Sequence, residues 1–276
     1  MSNCTNNLNE TQLYIMEIVK PLLEIAKQLK ITCWMQGGTM LGAVRHHGFI
    51  PWDDDVDIGI MRKDYEVFIK EAGKYLPAPF KLQTYKTVSE HHYYFARIVN
   101  PNHIIQRNGS QQIRNECVWV DIFPLDGMPN NFWVRRIHMM RLSLARFFYH
   151  LSTIEKVNKK RPGRSLVEKT VINIALHMKF FFKFDIANRL DCIDYLLKKY
   201  SPDNSEWIIN FMGQTSFKFT EMLPKKIYGE GMLYEFENLQ MTGPLDYDSY
   251  LHSLYGDYMI IPKDAEKNAH VSKLIK

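Results

Sequence analysis

The spacing of apolar positions divides the chain into a mixed pattern of helices and strands. Between residues 8 and 30, Leu13, Met16, Ile18, Leu22, Leu23, Ile25, Ala26 and Leu29 recur at helical intervals and predict an amphipathic helix. Asn9 and Gln12 stand where a capping box would close its first turn. Pro21 predicts a kink, or the start of a second helix. Ile31 to Met35 reads as a short strand that runs into Gln36-Gly37-Gly38-Thr39, with a short helix over 39–45 behind it. Val56, Ile58 and Ile60 then alternate as in a half-buried strand. A helix follows over 63–76, carrying Tyr65, Phe68, Ile69 and Ala72 on one face and closed by Pro77 and Pro79.

Residues 80–123 are strand-rich, in four runs at 81–85, 93–99, 103–107 and 117–123. From residue 130 to 199 the pattern turns helical, with helices expected over 132–151 and 165–184. The first mixes apolar residues with Arg135, Arg136, Arg141 and Arg146, and Lys159-Lys160-Arg161 follows. Such a lobe is either a basic amphipathic surface for an anionic membrane or an ordinary solvated face over a helical core. The last third predicts a helix over 250–254, capped by Asp246 or Asp248. No internal repeat or linker divides the chain.

With 46% hydrophobic and 13% aromatic residues, the chain is a folded, enzyme-sized globule rather than a disordered one. A net charge of +5 tolerates acidic substrates or a phospholipid surface but does not call for nucleic acid. Four cysteines without a C-x-x-C pair fit reduced thiols, and Cys33 and Cys117 fall in apolar runs. The polar N-terminus carries no apolar signal segment, and no apolar run is long enough to span a bilayer. A cytoplasmic protein is expected.

The chemistry concentrates in residues 34–60. Asp53, Asp54, Asp55 and Asp57 place four carboxylates in five positions, beyond the glycine turn. If the strand pattern extends back to 53, Asp53, Asp55 and Asp57 share one face, about 6.6 Å apart. Each neighbouring pair would then repel by about 2.5 kcal/mol at an effective dielectric near 20. The cluster is therefore either a solvated acidic turn or a site for hard, oxygen-seeking cations such as Mg²⁺. The strand–Gly-Gly–helix sequence is a geometry that holds phosphate on free backbone N–H groups, though most such turns are only turns. Asp121, inside the apolar run Val118-Trp119-Val120-Asp121-Ile122-Phe123, is a further candidate ligand. Alternatively it pairs with a core arginine or caps the turn at Pro124. Arg45 and Arg97 can supply charge to phosphate, or serve as a helix cap and a strand ion pair respectively.

The run GGTMLGAVRHHGFIPWDDDVDIGI, followed by MRKDYEVF, resembles the LicD/fukutin family of phosphotransferases, and VWVDIFPLD and YGDYMIIP match later segments in order. The family pattern carries a second proline after YGDYM; here that position is Lys263. The resemblance implies an α/β (α+β) fold: a nucleotidyltransferase-like mixed sheet flanked by helices, with an additional helical lobe. It implies one LicD-type catalytic domain over 1–276, with its core about 8–128, the lobe about 130–225 and a C-terminal segment, about 226–276, packing back. Carried over by position, the metal ligands and catalytic residues are Asp55, Asp57 and Asp121. Gly37, Gly38, Thr39, Arg45, His46, Asp53 and Arg97 are the substrate-binding set. The implied reaction moves a phospho-alcohol, foremost phosphocholine, from a CDP-linked donor to a sugar hydroxyl of a teichoic-acid, lipopolysaccharide or other glycan precursor. It would use Mg²⁺ or Mn²⁺ and release CMP. Nucleotide transfer from an NTP is the competing reaction. Trp52, Tyr93, Tyr94, Trp119 and Tyr228 are available to cage a choline ammonium, although most are expected in the core.

Overall fold

The structure, a computed structural model, describes residues 8–107, 114–154, 169–170, 172–174, 176–177, 185–211, 219–261 and 272–275. The first helix, α1 (Glu10–Leu29), begins with the expected capping box between Asn9 and Gln12. It continues through Pro21 without ending there. The carbonyl that loses its partner belongs to Glu17, an exposed residue, so water can satisfy it.

A mixed sheet organises the rest. Its path runs β10 (Ser272–Leu274), β4 (Ala96–Arg107), β5 (Arg114–Met128), β2 (Asp57–Met61), β1 (Trp34–Met35), β9 (Leu239–Gly243) and β8 (Met232–Phe236). β3 (Lys81–Gln83) adds to β4, and β6 (Trp207–Asn210) joins β5 to β7 (Met222–Pro224). β2 lies parallel to β5, and β1 parallel to β9. The other pairs are antiparallel. The strand runs expected at 93–99 and 103–107 are one long strand, β4, irregular between Asn100 and Ile104. β5 continues past Pro124 instead of turning there. Its pairing with β4 ends at Ile122 and that with β6 begins at Leu125, so the missing Pro124 N–H falls in the gap.

α1 packs against β4 and β5, and Ile15, Ile18, Val19 and Leu22 share one core with Ile98, Val120 and Ile122. α2 (Gly37–His46) and α3 (Arg62–Glu71) follow β1 and β2. A second core joins α4 (Phe132–Thr153) to α5 (Ile186–Leu197) through Leu142, Ala145, Leu190 and Ile193, with Ile209 of β6. The region expected to be a helical lobe therefore also contributes two strands, β6 and β7, to the sheet. Most of the helix expected over 165–184, with Lys159-Lys160-Arg161, lies outside the described residues.

The C-terminal helix, α6 (Tyr247–Tyr255), is longer than its apolar pattern suggests, and Asp246 is its cap, accepting from Ser249 N–H at 3.1 Å. Cys33 is buried and Cys117 half-buried, as expected of core-filling thiols.

A candidate phosphotransfer site at the glycine turn

The site is assembled at one end of the sheet, where β1 gives way to α2 and β2 begins. Gln36, almost fully buried, caps α2 from an extended backbone. Its Oε1 accepts hydrogen bonds from the Tyr228 and Tyr250 hydroxyls at 3.3 and 3.2 Å, and its Nε2 donates to the Met35 carbonyl at 3.1 Å. The next residue, Gly37, has φ +47°, which strains any side chain. At Gly38 a Cβ would lie 2.8 Å from Asp53 Oδ2, so any side chain there would push the Asp53 carboxylate aside. The helix starts at Gly37, two residues earlier than its apolar pattern suggests, because glycines carry no hydrophobic signal.

The aspartates do not form the continuous strand face expected of them. β2 starts only at Asp57, and Asp53 to Val56 is irregular chain, so period-two alternation does not govern the first three acids. Asp54 consequently stays with its neighbours. Asp53, Asp54 and Asp55 each offer a carboxylate oxygen within 4.8 Å of the others, the one such group among the described residues. Gln12 Nε2 fastens this loop to the start of α1 by donating to the Asp53 carbonyl at 2.9 Å.

Asp57 and Asp121 are register partners on the parallel strands β2 and β5, and Arg97 is the register partner of Asp121 on β4. The three side chains thus stand in a row across the sheet. Burial, then Asp55, Asp121, Asp53 and Glu221, pushes the Asp57 carboxyl well above its ordinary range. Burial, then Asp55 and Asp54, does the same to Asp53. An oxygen-only set of clustered carboxylates fits a hard divalent cation.

Arg97 is committed to protein groups rather than left open for phosphate. Its Nε donates to Asp121 Oδ1 at 2.6 Å and its Nη1 to Glu116 at 3.4 Å. The guanidinium lies between the rings of Tyr93 and Trp119, 4.4 and 4.5 Å from their centroids. Those two rings therefore surround an arginine instead of an open cage. Tyr228 is buried at Gln36, and Tyr94 belongs to the second core.

Thr39 accepts the Asp57 N–H on its Oγ1 at 2.8 Å, which locks the turn to β2. Gly37 N–H donates to the Tyr250 hydroxyl at 2.9 Å. Arg45, in the last turn of α2, donates to the Tyr258 carbonyl at 2.8 Å. It also stands 5.9 Å over Trp52, whose ring meets His46 edge-on.

Two further residues belong here. The Tyr255 hydroxyl lies 3.5 Å from where a Gly37 Cβ would be, and burial, Glu221 and the aspartates raise its pKa. Glu221, just before β7, is pushed up to about 7 by burial, with Arg146 opposing. Tyr255 was legible as part of the YGDYM segment. Glu221 gave only a weak signal, one acid ahead of a short apolar run.

Residues 30–160 match the LicD/FKTN/FKRP nucleotidyltransferase domain. The lipopolysaccharide cholinephosphotransferase LicD of Haemophilus influenzae is 27% identical over 271 residues, covering 95% of each chain. The ribitol 5-phosphate transferase FKRP of Homo sapiens and that of Mus musculus are each 43% identical over 61 residues, 22% of this chain and 11% of theirs.

Proposed function

We propose that this chain, whose residues 30–160 match the LicD/FKTN/FKRP nucleotidyltransferase domain, transfers a phospho-alcohol to a sugar hydroxyl. The donor is a CDP-alcohol, foremost CDP-choline, the leaving group is CMP, and the acceptor is a lipopolysaccharide, teichoic-acid or related glycan precursor. The observation that carries this reading is the register of Asp57 beside Asp121, facing the glycine turn at the start of α2.

Asp55, Asp57 and Asp121 would hold Mg²⁺ or Mn²⁺, with Asp53 in support, and the cation would neutralise charge on the pyrophosphate oxygens. The protein's own part is positioning. At the start of α2, the N–H groups of Gly38 and Thr39 and the helix dipole favour a donor phosphate. Gly37 N–H, held by Tyr250, fixes the path of that turn. Arg45 and His46, both against Trp52 just ahead of the acidic loop, would contact the donor from the end of α2. Arg97, bonded to Oδ1 of Asp121, orients that carboxylate, which would accept the proton of the acceptor hydroxyl. As the oxygen of the acceptor hydroxyl bonds to the β-phosphorus, the bond from that phosphorus to the bridging oxygen breaks and CMP leaves with it.

The test is nucleotide release from CDP-choline, CDP-ribitol, CDP-glycerol and NTPs, with Mg²⁺ and with or without glycan acceptors. CMP from a CDP-alcohol, lost in EDTA, is the expected result. Pyrophosphate from an NTP would replace this reading with nucleotide transfer.

The acceptor class suggests work at the cytoplasmic face of a membrane, and α4 supplies a surface for it. Trp133, Ile137, Met140, Leu144 and Phe147 recur at steps of four and three and are exposed, Trp133 by 73% and Met140 by 71%. The buried face of the same helix carries His138, Leu142, Ala145 and Arg146. Arg136 and Arg141 flank the exposed stripe, which suits an anionic phospholipid surface. Among the described residues no helix is long and apolar enough to cross a membrane. The protein is expected to co-sediment at low salt with vesicles containing phosphatidylglycerol, and to lose that binding on Trp133→Glu with Met140→Glu. Absence of binding by the unmutated protein removes the membrane contact.

A further inference from the structure

A cavity of about 640 Å³ opens beside Asp121, on the side away from the glycine turn. Across the sheet the register runs Asp57, Asp121, Arg97, Gln83, on β2, β5, β4 and β3. At about 4.8 Å per strand, Gln83 is about 14 Å from Asp57. Arg97 is the wall shared by the acidic row and the cavity. Val99 and Trp119, a register pair on the same sheet face, form its floor, and Tyr149 of α4 lines it as well. We propose that this cavity binds the sugar ring of the acceptor that carries the reacting hydroxyl.

The inference rests on the phosphotransfer reading and on the direction that such a reaction imposes. In an in-line displacement, the entering and leaving oxygens lie on opposite sides of phosphorus. With donor phosphate at the start of α2 and beside Asp57, the nucleotide departs toward the glycine turn. The acceptor oxygen then enters past Asp121, and the cavity is what lies on that side.

The lining agrees with a sugar rather than a second phosphate. Arg97 already bonds Asp121 and Glu116, and burial brings His91 down to about 4, so its ring is neutral. Gln83, Asn115 and Glu116 offer amide and carboxylate groups that match hydroxyls, while Trp119 and Tyr149 offer apolar ring surface. Pockets that enclose small-molecule ligands measure about 300–1,000 Å³. This cavity is larger than a small quaternary ammonium head needs and accommodates a sugar ring with its neighbour.

Val99→Phe fills the floor from the strand, and Gln83→Trp fills the wall from the partly exposed β3, which spares the core if the first variant folds poorly. For a glycan acceptor that supports turnover, each should raise the acceptor KM by about tenfold or more, equivalent to about 1.4 kcal/mol. The donor KM, and whatever CMP is released to water without acceptor, should stay unchanged. A rise in donor KM with an unchanged acceptor KM would overturn the assignment, because the cavity would then hold the donor's alcohol.

Binding is read separately from turnover by saturation-transfer NMR with the methyl glycosides of glucose, galactose and N-acetylgalactosamine. Transfer to at least one glycoside, abolished by Val99→Phe or Gln83→Trp, supports the cavity. No transfer to any of them, or transfer unaffected by both variants, sinks it. Failure of the phosphotransfer reading alone would instead show as glycoside binding without CMP release from any donor.

Discussion

Asp57→Asn is expected to lower CMP release by about 10³-fold or more, about 4 kcal/mol of barrier, without lowering thermal stability in the absence of metal. The two halves have one cause. Asp57 is half-buried beside Asp55, Asp121, Asp53 and Glu221, and desolvation together with these acids raises its carboxyl well above the ordinary range. In the cation-free chain its charge is a liability, and asparagine keeps the shape while removing the repulsion. Asp57 N–H still reaches Thr39 Oγ1, so the turn keeps its fastening. With a cation the sign reverses, because the charge becomes part of the ligand set. Mg²⁺ at 100 times its Kd should stabilise the unmutated protein by about 2.7 kcal/mol, and the variant much less. Activity retained within tenfold, or an unmutated Tm indifferent to Mg²⁺ and EDTA, would falsify the metal assignment.

Much of this site was legible because its parts are close in sequence or lie on regular strands. The glycine turn, the acids and the Asp121 strand were all visible, since a carboxylate in an apolar run is conspicuous against its neighbours. What sequence could not supply was pairing. Asp57 beside Asp121 and Arg97 opposite Asp121 are facts of strand register. Register is set by how long strands pack, and nothing local in YYFARIV marks Arg97 as a partner of Asp121.

The expected alternation of Asp53, Asp55 and Asp57 failed for a related reason. Alternation requires a strand, and Asp53 to Asp55 lie outside the ladder: the loop is tied by Gln12 and by its own bonds, and the first bond to β5 is from Asp121 N–H to the Val56 carbonyl. Glu221 was missed because no local pattern shows that the residue before β7 comes near Asp57. The helical composition of 130–225 likewise concealed β6 and β7, whose few residues each make sense only beside β5.

Arg62→Met is expected to destabilise the fold by about 3–5 kcal/mol, the usual consequence of stranding a buried charge. Arg62 is the first residue of α3, directly after β2, and belongs to the MRKDYEVF run, yet no role for it was visible in sequence. In the fold it is nearly buried and makes a two-pronged pair with Asp126 of β5, Nε to Oδ1 at 2.6 Å and Nη2 to Oδ2 at 2.8 Å. Its Nη1 also reaches Asp194 of α5 at 3.0 Å and Glu66 at 3.1 Å. One guanidinium therefore ties the strand that carries Asp121 to the second core.

The loss should depend on pH in a direction fixed by Asp126, whose exposure is 0%. Burial raises its carboxyl and Arg62 opposes that rise. Without the arginine, the folded-state pKa climbs further above the unfolded value near 3.9. The folded variant then binds more protons than the unfolded chain, so its stability falls as pH rises through that window. Urea midpoints measured at pH 5 and pH 8 should therefore show a larger deficit at pH 8. Adding Asp126→Leu should recover much of the deficit and flatten its pH dependence, because the stranded charge is gone. A deficit independent of pH, or untouched by the second substitution, would mean that Arg62 acts through its packing against Tyr65, whose ring centroid lies 5.3 Å away, rather than through its charge.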